Sequence, residues 1–167
     1  MNSKIKKKIK KIKLLLTDVD GVLTDGGMYY SSKGDIMKKF FVRDGMGVTL
    51  LRKHGIDTII VTKEKNPIIN EWYKKMNVKK LYDGILDKGK ILNEICKKFE
   101  VDPEQICYIG DDINDITLLE KVGFSVVPND GIIEAKKICD YVCVINGGRG
   151  VLREIADMIL QVQKIKS

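Results

Sequence analysis

Histidine is almost absent from this sequence: His54 is the single copy in 167 residues, beside four cysteines, three prolines and one tryptophan. A structural zinc site needs four Cys or His ligands, usually in close pairs. Cys96, Cys107, Cys139 and Cys143 contain no Cys-x-x-Cys. A zinc module is therefore excluded, and the thiols are expected to be reduced and mostly buried. No apolar run approaches the ~20 residues that cross a bilayer. The N-terminus carries too many lysines and too few apolar residues for a secretory signal. The expected setting is the cytoplasm, with no membrane partner.

Charge of one sign is in surplus. The net charge is +7, and seven lysines fall within the first 13 residues. No aromatic residues interleave with them, as stacking on bases would require, so nucleic acid is not the expected partner. Residues 1–12 read as a solvated basic lead-in to the first strand, and the remaining surplus suits an anionic substrate.

The length supports one domain, residues 1–167. Apolar runs at residues 13–17, 58–62, 107–110, 124–127 and 141–144 read as strands buried on both faces. Helical stretches separate them, at residues 45–54, 67–76 (opened by the Asn66-Pro67 cap), 88–99, 115–121 and 131–137, with a last helix at 151–162. This alternation predicts an α/β fold with a doubly wound, Rossmann-like parallel sheet. Residues 24–42 break the pattern and read as a β-hairpin around Ser31-Ser32-Lys33-Gly34-Asp35, projecting over the strand ends. His54 and the Met28-Tyr29-Tyr30 run are read as helix-surface and hairpin packing residues.

The chemistry concentrates after two strands. Leu14-Leu15-Leu16-Thr17 ends in Asp18-Val19-Asp20-Gly21-Val22-Leu23-Thr24, and Tyr108-Ile109 ends in Gly110-Asp111-Asp112-Ile113-Asn114-Asp115. Sites in open α/β sheets lie beyond the carboxyl ends of the strands. Neighbouring carboxylates there are costly without a cation, and magnesium takes hard oxygen ligands together with phosphate. A carboxylate can also attack phosphorus, splitting one hard step into two. Thr62, after its strand, and Lys88, opening its helix, are groups suited to hold transferring phosphoryl oxygens. A receiver domain also uses acidic residues, Thr and Lys, but would place an aspartate after its third strand, whereas Asp57 precedes its strand. A non-catalytic sugar-phosphate-binding domain would have no need of Asp20.

With these motifs the chain resembles the haloacid dehalogenase superfamily and, within it, the capless 3-deoxy-D-manno-octulosonate 8-phosphate phosphatases. The narrower marks are Asp18 through Gly26, Val42-Arg43-Asp44-Gly45-Met46-Gly47, and Gly147-Gly148-Arg149-Gly150-Val151-Leu152-Arg153-Glu154. The resemblance implies Asp18 as nucleophile and metal ligand, and Asp20 as general acid/base that ligates metal through its carbonyl. It implies Thr62 and Lys88 on the phosphoryl group, Asp111 as third metal ligand, and Asp112, Asn114 and Asp115 in support. Arg43, Asp44 and Gly45 would line the substrate pocket, with Asn114 nearby. It also implies a homotetramer, in which hairpins associate and a neighbour's tail, residues 147–154, covers the site. The cofactor would be magnesium and the substrate a sugar acid phosphate.

One departure bears on the substrate. The family's Thr-Gly-Arg after the second strand is here Thr62-Lys63-Glu64-Lys65, and a further expected arginine falls at Trp72. Glu64 with Lys75 resembles the pairing of nine-carbon nonulosonate 9-phosphate phosphatases. The expectation is therefore a nine-carbon acid, with octulosonate 8-phosphate as the alternative.

Overall fold

The computed structural model describes residues 2–164; the ends of the expected 1–167 domain lie outside them. Six strands form one parallel sheet: β1 (Leu14–Thr17), β4 (Asp57–Val61), β5 (Lys80–Tyr82), β6 (Ile106–Ile109), β7 (Phe124–Val127) and β8 (Tyr141–Val142), in the order β5-β4-β1-β6-β7-β8. The chain runs outward from β1 through β4 to β5, then crosses back to β6 and continues to β8. The direction of winding thus reverses between β1 and β6, which places the crevice of a doubly wound sheet at their carboxyl ends.

Both faces of the sheet are apolar, as the unbroken hydrophobic runs require. Leu15, Ile60, Cys107, Ile109 and Val126 face one layer, with α2 (Val42–Lys53), α3 (Pro67–Lys75) and α7 (Val151–Val162). Leu14, Leu16, Ile59, Val61 and Tyr108 face the other, with α4 (Lys88–Phe99), α5 (Ile116–Leu119) and α6 (Ile133–Ile138). Helices α2 and α7 pack closely because Gly47 has no side chain. A Cβ there would stand 2.8 Å from Leu152 Cδ2 and 3.2 Å from Arg153 Cα. All four cysteines are free; Cys107 and Cys143 are buried and the other two half-buried.

The expected helices at 88–99 and 151–162 and the strand at 124–127 fall where the sequence places them. Helix α2 starts three residues earlier than expected, at Val42. Its early start turns Asp44 inward, fully buried, where it accepts a hydrogen bond from the Arg153 amide at 3.0 Å and ties α2 to α7. Strand β5 has only three residues and a charged first position, too short for a periodicity to register. The hairpin is β2 (Tyr29–Ser31) with β3 (Gly34–Met37), antiparallel and separate from the main sheet.

The basic lead-in is a correction. Residues 3–9 form a helix, α1 (Ser3–Ile9), capped by the Asn2 side chain. Ile9 and Ile12 are buried in the core, and Lys8 pairs with Asp140, which also accepts from the Ser125 amide. Lysine counts hide the Ile5/Ile9/Ile12 stripe, whose i, i+4, i+7 spacing is that of a packed helix face. Ile9→Ala should therefore cost about 2–4 kcal/mol by chemical denaturation. Lys4→Ala, at an exposed position, should stay within about 0.5 kcal/mol.

Candidate active site

Asp18 stands one residue past β1, and its amide continues the ladder by donating to the Ile109 carbonyl at 2.9 Å. The chain then turns at Gly21, whose φ is +84°. A Cβ at Gly21 would lie 2.0 Å from an Asp111 oxygen, so glycine is required both by the turn and by the approach of the second acidic loop. Asp87 caps α4 by accepting from the Gly89 amide, which fixes Lys88 as the first helical residue, buried under the strand ends.

Lys88 Nζ lies 2.7 Å from Asp18 Oδ2 and 2.6 Å from Asp115 Oδ1. The two oxygens of Asp115 are fully used. Oδ1 accepts from Lys88 and from the Tyr108 hydroxyl at 2.6 Å, and Oδ2 accepts from the Asp111 and Asp112 amides at 2.7 and 3.1 Å. Asp115 thus fixes the loop that presents Asp111, and has no lone pair left over for a ligand. Asp112 caps the turn Ile113–Asp115 through the Ile113 amide.

Carboxylate oxygens of Asp18, Asp111 and Asp115 come within 4.8 Å of one another. Three carboxylates face one ammonium, which leaves two negative charges uncompensated. Burial, opposed by Lys88 and reinforced by Asp115, raises Asp18 to about 7. Burial and the neighbouring charges of Asp18, Asp115 and Asp112 raise Asp111 to about 8. Asp111 Oδ1 is buried and has no hydrogen-bond partner among the described residues. An unpartnered buried oxygen, hard donors and a deficit of two charges fit a divalent magnesium ion held by Asp18 and Asp111.

Asp18, Asp20, Thr62, Asp111, Asp112 and Asn114 all line one cavity of about 840 Å³ over the strand ends. Glu64, Lys63 and Lys65 form its rim, and Met28 of the hairpin region reaches it as well. Asp20 Oδ1 accepts from Thr24 Oγ1 at 3.1 Å and from Lys38 Nζ at 2.8 Å. Lys38 was not singled out by the sequence. It sits beside Lys39 in a hairpin where charges are expected to be solvated, yet it is buried among Asp20, Asp35 and Glu64. Only the surplus of carboxylates around the cavity, which demands a second buried cation, hints at it.

Four expected pocket residues are elsewhere in this chain. Asp44 is buried between α2 and α7, and a Cβ on Gly45 would strike Met76 Sδ. Arg43 and Lys75 line a separate depression with Met46 and Met76. The tail is not spare either. Gly148 donates to the Val22 carbonyl, Gly147 donates to Asp130, and Val151 onward forms the first turn of α7. The glycines there pack closely on the chain's own loop, Gly147 against Gly21 and Thr24 and Gly148 against Thr24 and Asp25.

Removing Asp115 should leave Lys88 buried with a single partner and unfasten the Asp111 loop. Asp115→Ala is expected to lose about 3–5 kcal/mol by denaturant titration, against about 1.5–3 kcal/mol for Tyr108→Phe, which deletes one hydrogen bond to the carboxylate.

The family model for haloacid dehalogenase-like hydrolases matches residues 57–155. The 3-deoxy-D-manno-octulosonate 8-phosphate phosphatase of Haemophilus influenzae is 36% identical over 159 residues, 95% of this chain and 88% of that protein. Its Escherichia coli namesake is 36% identical over 156 residues, 93% of this chain and 83% of that protein. Among solved structures, the Moraxella catarrhalis phosphatase in complex with magnesium, phosphate and KDO superposes with a TM-score of 0.94 at 32% identity, covering 98% of this chain and 94% of that one. The cobalt-bound H. influenzae phosphatase gives 0.92 at 37% identity, covering 94% and 92%. Similarity of this extent, in sequence and on one fold, places the chain in the haloacid dehalogenase-like hydrolases and, within them, in the 3-deoxy-D-manno-octulosonate 8-phosphate phosphatase family of phosphoric monoester hydrolases.

Proposed function

We propose that the chain hydrolyses 3-deoxy-D-manno-octulosonate 8-phosphate with magnesium as cofactor, and that Asp18 is the nucleophile. The observation that carries this reading is Asp18 itself: a buried carboxylate at the switch point, paired with Lys88 and lining the cavity beside Asp111. Asp18 attacks phosphorus while the bond from phosphorus to the sugar oxygen breaks. Asp20 gives its proton to that oxygen, then takes one from the water that attacks the aspartyl-phosphate. Inorganic phosphate leaves, and both carboxylates return to their starting states. Lys88 has three N–H donors and spends two on Asp18 and Asp115, leaving the third for a phosphoryl oxygen. Thr62 Oγ1 accepts from the Glu64 amide at 3.3 Å, which leaves its own proton to donate into the cavity. Magnesium, when bound by Asp18 and Asp111, supplies positive charge that screens the phosphoryl oxygens from the carboxylates.

The eight-carbon acid is favoured over the nine-carbon one on two grounds. The curated relatives that match nearly the whole chain carry the eight-carbon name. Within one chain, moreover, the residues that suggested nine carbons do not meet in one pocket: Glu64 lies 2.7 Å from Lys38, and Lys75 lines a different depression. Trp72 stacks on Phe40 with ring centroids 5.0 Å apart, so it is a packing residue rather than a replaced sugar contact. Lys63 and Lys65 on the rim offer charge to the sugar carboxylate. The open cavity and the exposed Met28, Tyr30 and Ile36 of the hairpin region support a homotetramer joined through the hairpins.

The expected outcome is a kcat/KM at least tenfold higher for octulosonate 8-phosphate than for nonulosonate 9-phosphate, ~1.4 kcal/mol in transition-state binding. Activity should be lost in EDTA and restored by magnesium. A tenfold preference for the nine-carbon compound would reverse the substrate assignment and leave the chemistry standing.

A further inference from the structure

The side chain of Lys38 is 2% exposed, although it directly follows β3, whose last two residues are exposed. Its ammonium meets three carboxylates: Glu64 Oε2 at 2.7 Å, Asp20 Oδ1 at 2.8 Å and Asp35 Oδ2 at 3.4 Å. Asp35 is in turn fixed by the Asn66 side chain, which donates to its Oδ2 at 3.0 Å while capping α3 through the Ile68 amide. Lysine has three N–H donors and no acceptor; this ammonium donates to Asp20 and lies within ion-pair distance of Glu64 and Asp35, on the wall of the same cavity. Burial opposes the charge, but the bonds to Asp20 and Glu64 outweigh it and hold Lys38 protonated above the usual lysine range.

The consequence falls on Asp20. It lies in a glycine-containing turn, and its side chain is about a third exposed to the cavity. Among the described residues both of its hydrogen bonds, from Thr24 and from Lys38, fall on Oδ1, and no protein donor bonds Oδ2. Two donors from different elements, the β1 turn and the hairpin, fix the rotation of a short carboxylate better than one.

We propose that Lys38 is a positioning residue for the reaction: braced by Glu64 and Asp35, it holds Asp20 Oδ1 so that Oδ2 delivers its proton to the departing sugar oxygen. The proposal rests on the reading of Asp20 as general acid. It also gives Glu64 a role as a brace for Lys38, distinct from sugar recognition.

Protonation matters when the leaving group is a poor one. An alkoxide needs the proton, whereas p-nitrophenolate leaves without it. The quantity to compare is kcat/KM, which reports steps up to release of the alcohol and so excludes the later use of Asp20 as a base. Substrates are octulosonate 8-phosphate, glycerol phosphate (an alkyl ester without a carboxylate) and p-nitrophenyl phosphate, each with magnesium. For Lys38→Met, kcat/KM should fall about 10- to 100-fold on both alkyl esters, within the range that acid catalysis spans. The fall on p-nitrophenyl phosphate should be at least tenfold smaller, and KM for the alkyl esters should change less than threefold. Because Lys38→Met strands Asp35, which is 7% exposed, the double variant Lys38→Met/Asp35→Asn serves if the single variant does not fold, with the same pattern expected. An equal loss on all three substrates, no loss, or a loss confined to octulosonate 8-phosphate through KM would overturn the proposal. Asp20→Asn is the control: if it too shows no dependence on leaving group, the reading of Asp20 as acid is what fails.

Discussion

The site depends on one buried ammonium. Lys88 has no exposure, and its two partners, Asp18 and Asp115, come from opposite sides of the β1/β6 crevice. Burying an ion pair rarely adds stability over an apolar alternative, because desolvation consumes the Coulombic gain. Here the arrangement does something an apolar core could not. It brings a carboxylate to a dry strand end, holds it by one oxygen and keeps it short of full charge compensation. The remaining deficit makes the cluster a receptor for a divalent cation and, with the cation, for a dianionic phosphoryl group.

The pairing is positioned by the backbone and by side chains that bond to it. Reversal of winding between β1 and β6 sets the two acidic loops side by side, and the absence of a side chain at Gly21 lets them touch. Asp87 starts α4 so that Lys88 enters from beneath, and Asp115 folds the second loop around itself by accepting two of its amides. Lys38, just past β3, adds a second, more exposed ion cluster beside the same cavity. Two lysines thus divide these carboxylates: Lys88 is shared between Asp18 and Asp115, and Lys38 among Asp20, Glu64 and Asp35.

Much of this was legible in the sequence because it is local. The apolar runs ending in Asp18 and in Gly110-Asp111 announce strand ends, and Asn66-Pro67 and the apolar stripe from Lys88 announce helices whose bounds the structure keeps. What was not legible is set by tertiary contact. The resemblance puts Asp44 in the substrate pocket, but the earlier start of α2 buries it against α7. The seven N-terminal lysines mask three isoleucines that decide where residues 3–12 go. Lys38 looks like half of a solvated Lys-Lys pair, since its partners Asp20 and Glu64 are distant in sequence. Glu64 and Lys75 suggest a joint role through the resemblance to nonulosonate 9-phosphate phosphatases, and within one chain the fold places them in different depressions.

The central claim is that Asp18 itself bonds to phosphorus. The direct measurement is a single turnover with substrate carrying a radiolabelled phosphoryl group, quenched in acid in the presence of magnesium and followed by peptide mapping. The account predicts transient label in the peptide that contains Asp18, rising before inorganic phosphate appears, and none in Asp18→Asn. Label on another residue, or full turnover by Asp18→Asn, would contradict it.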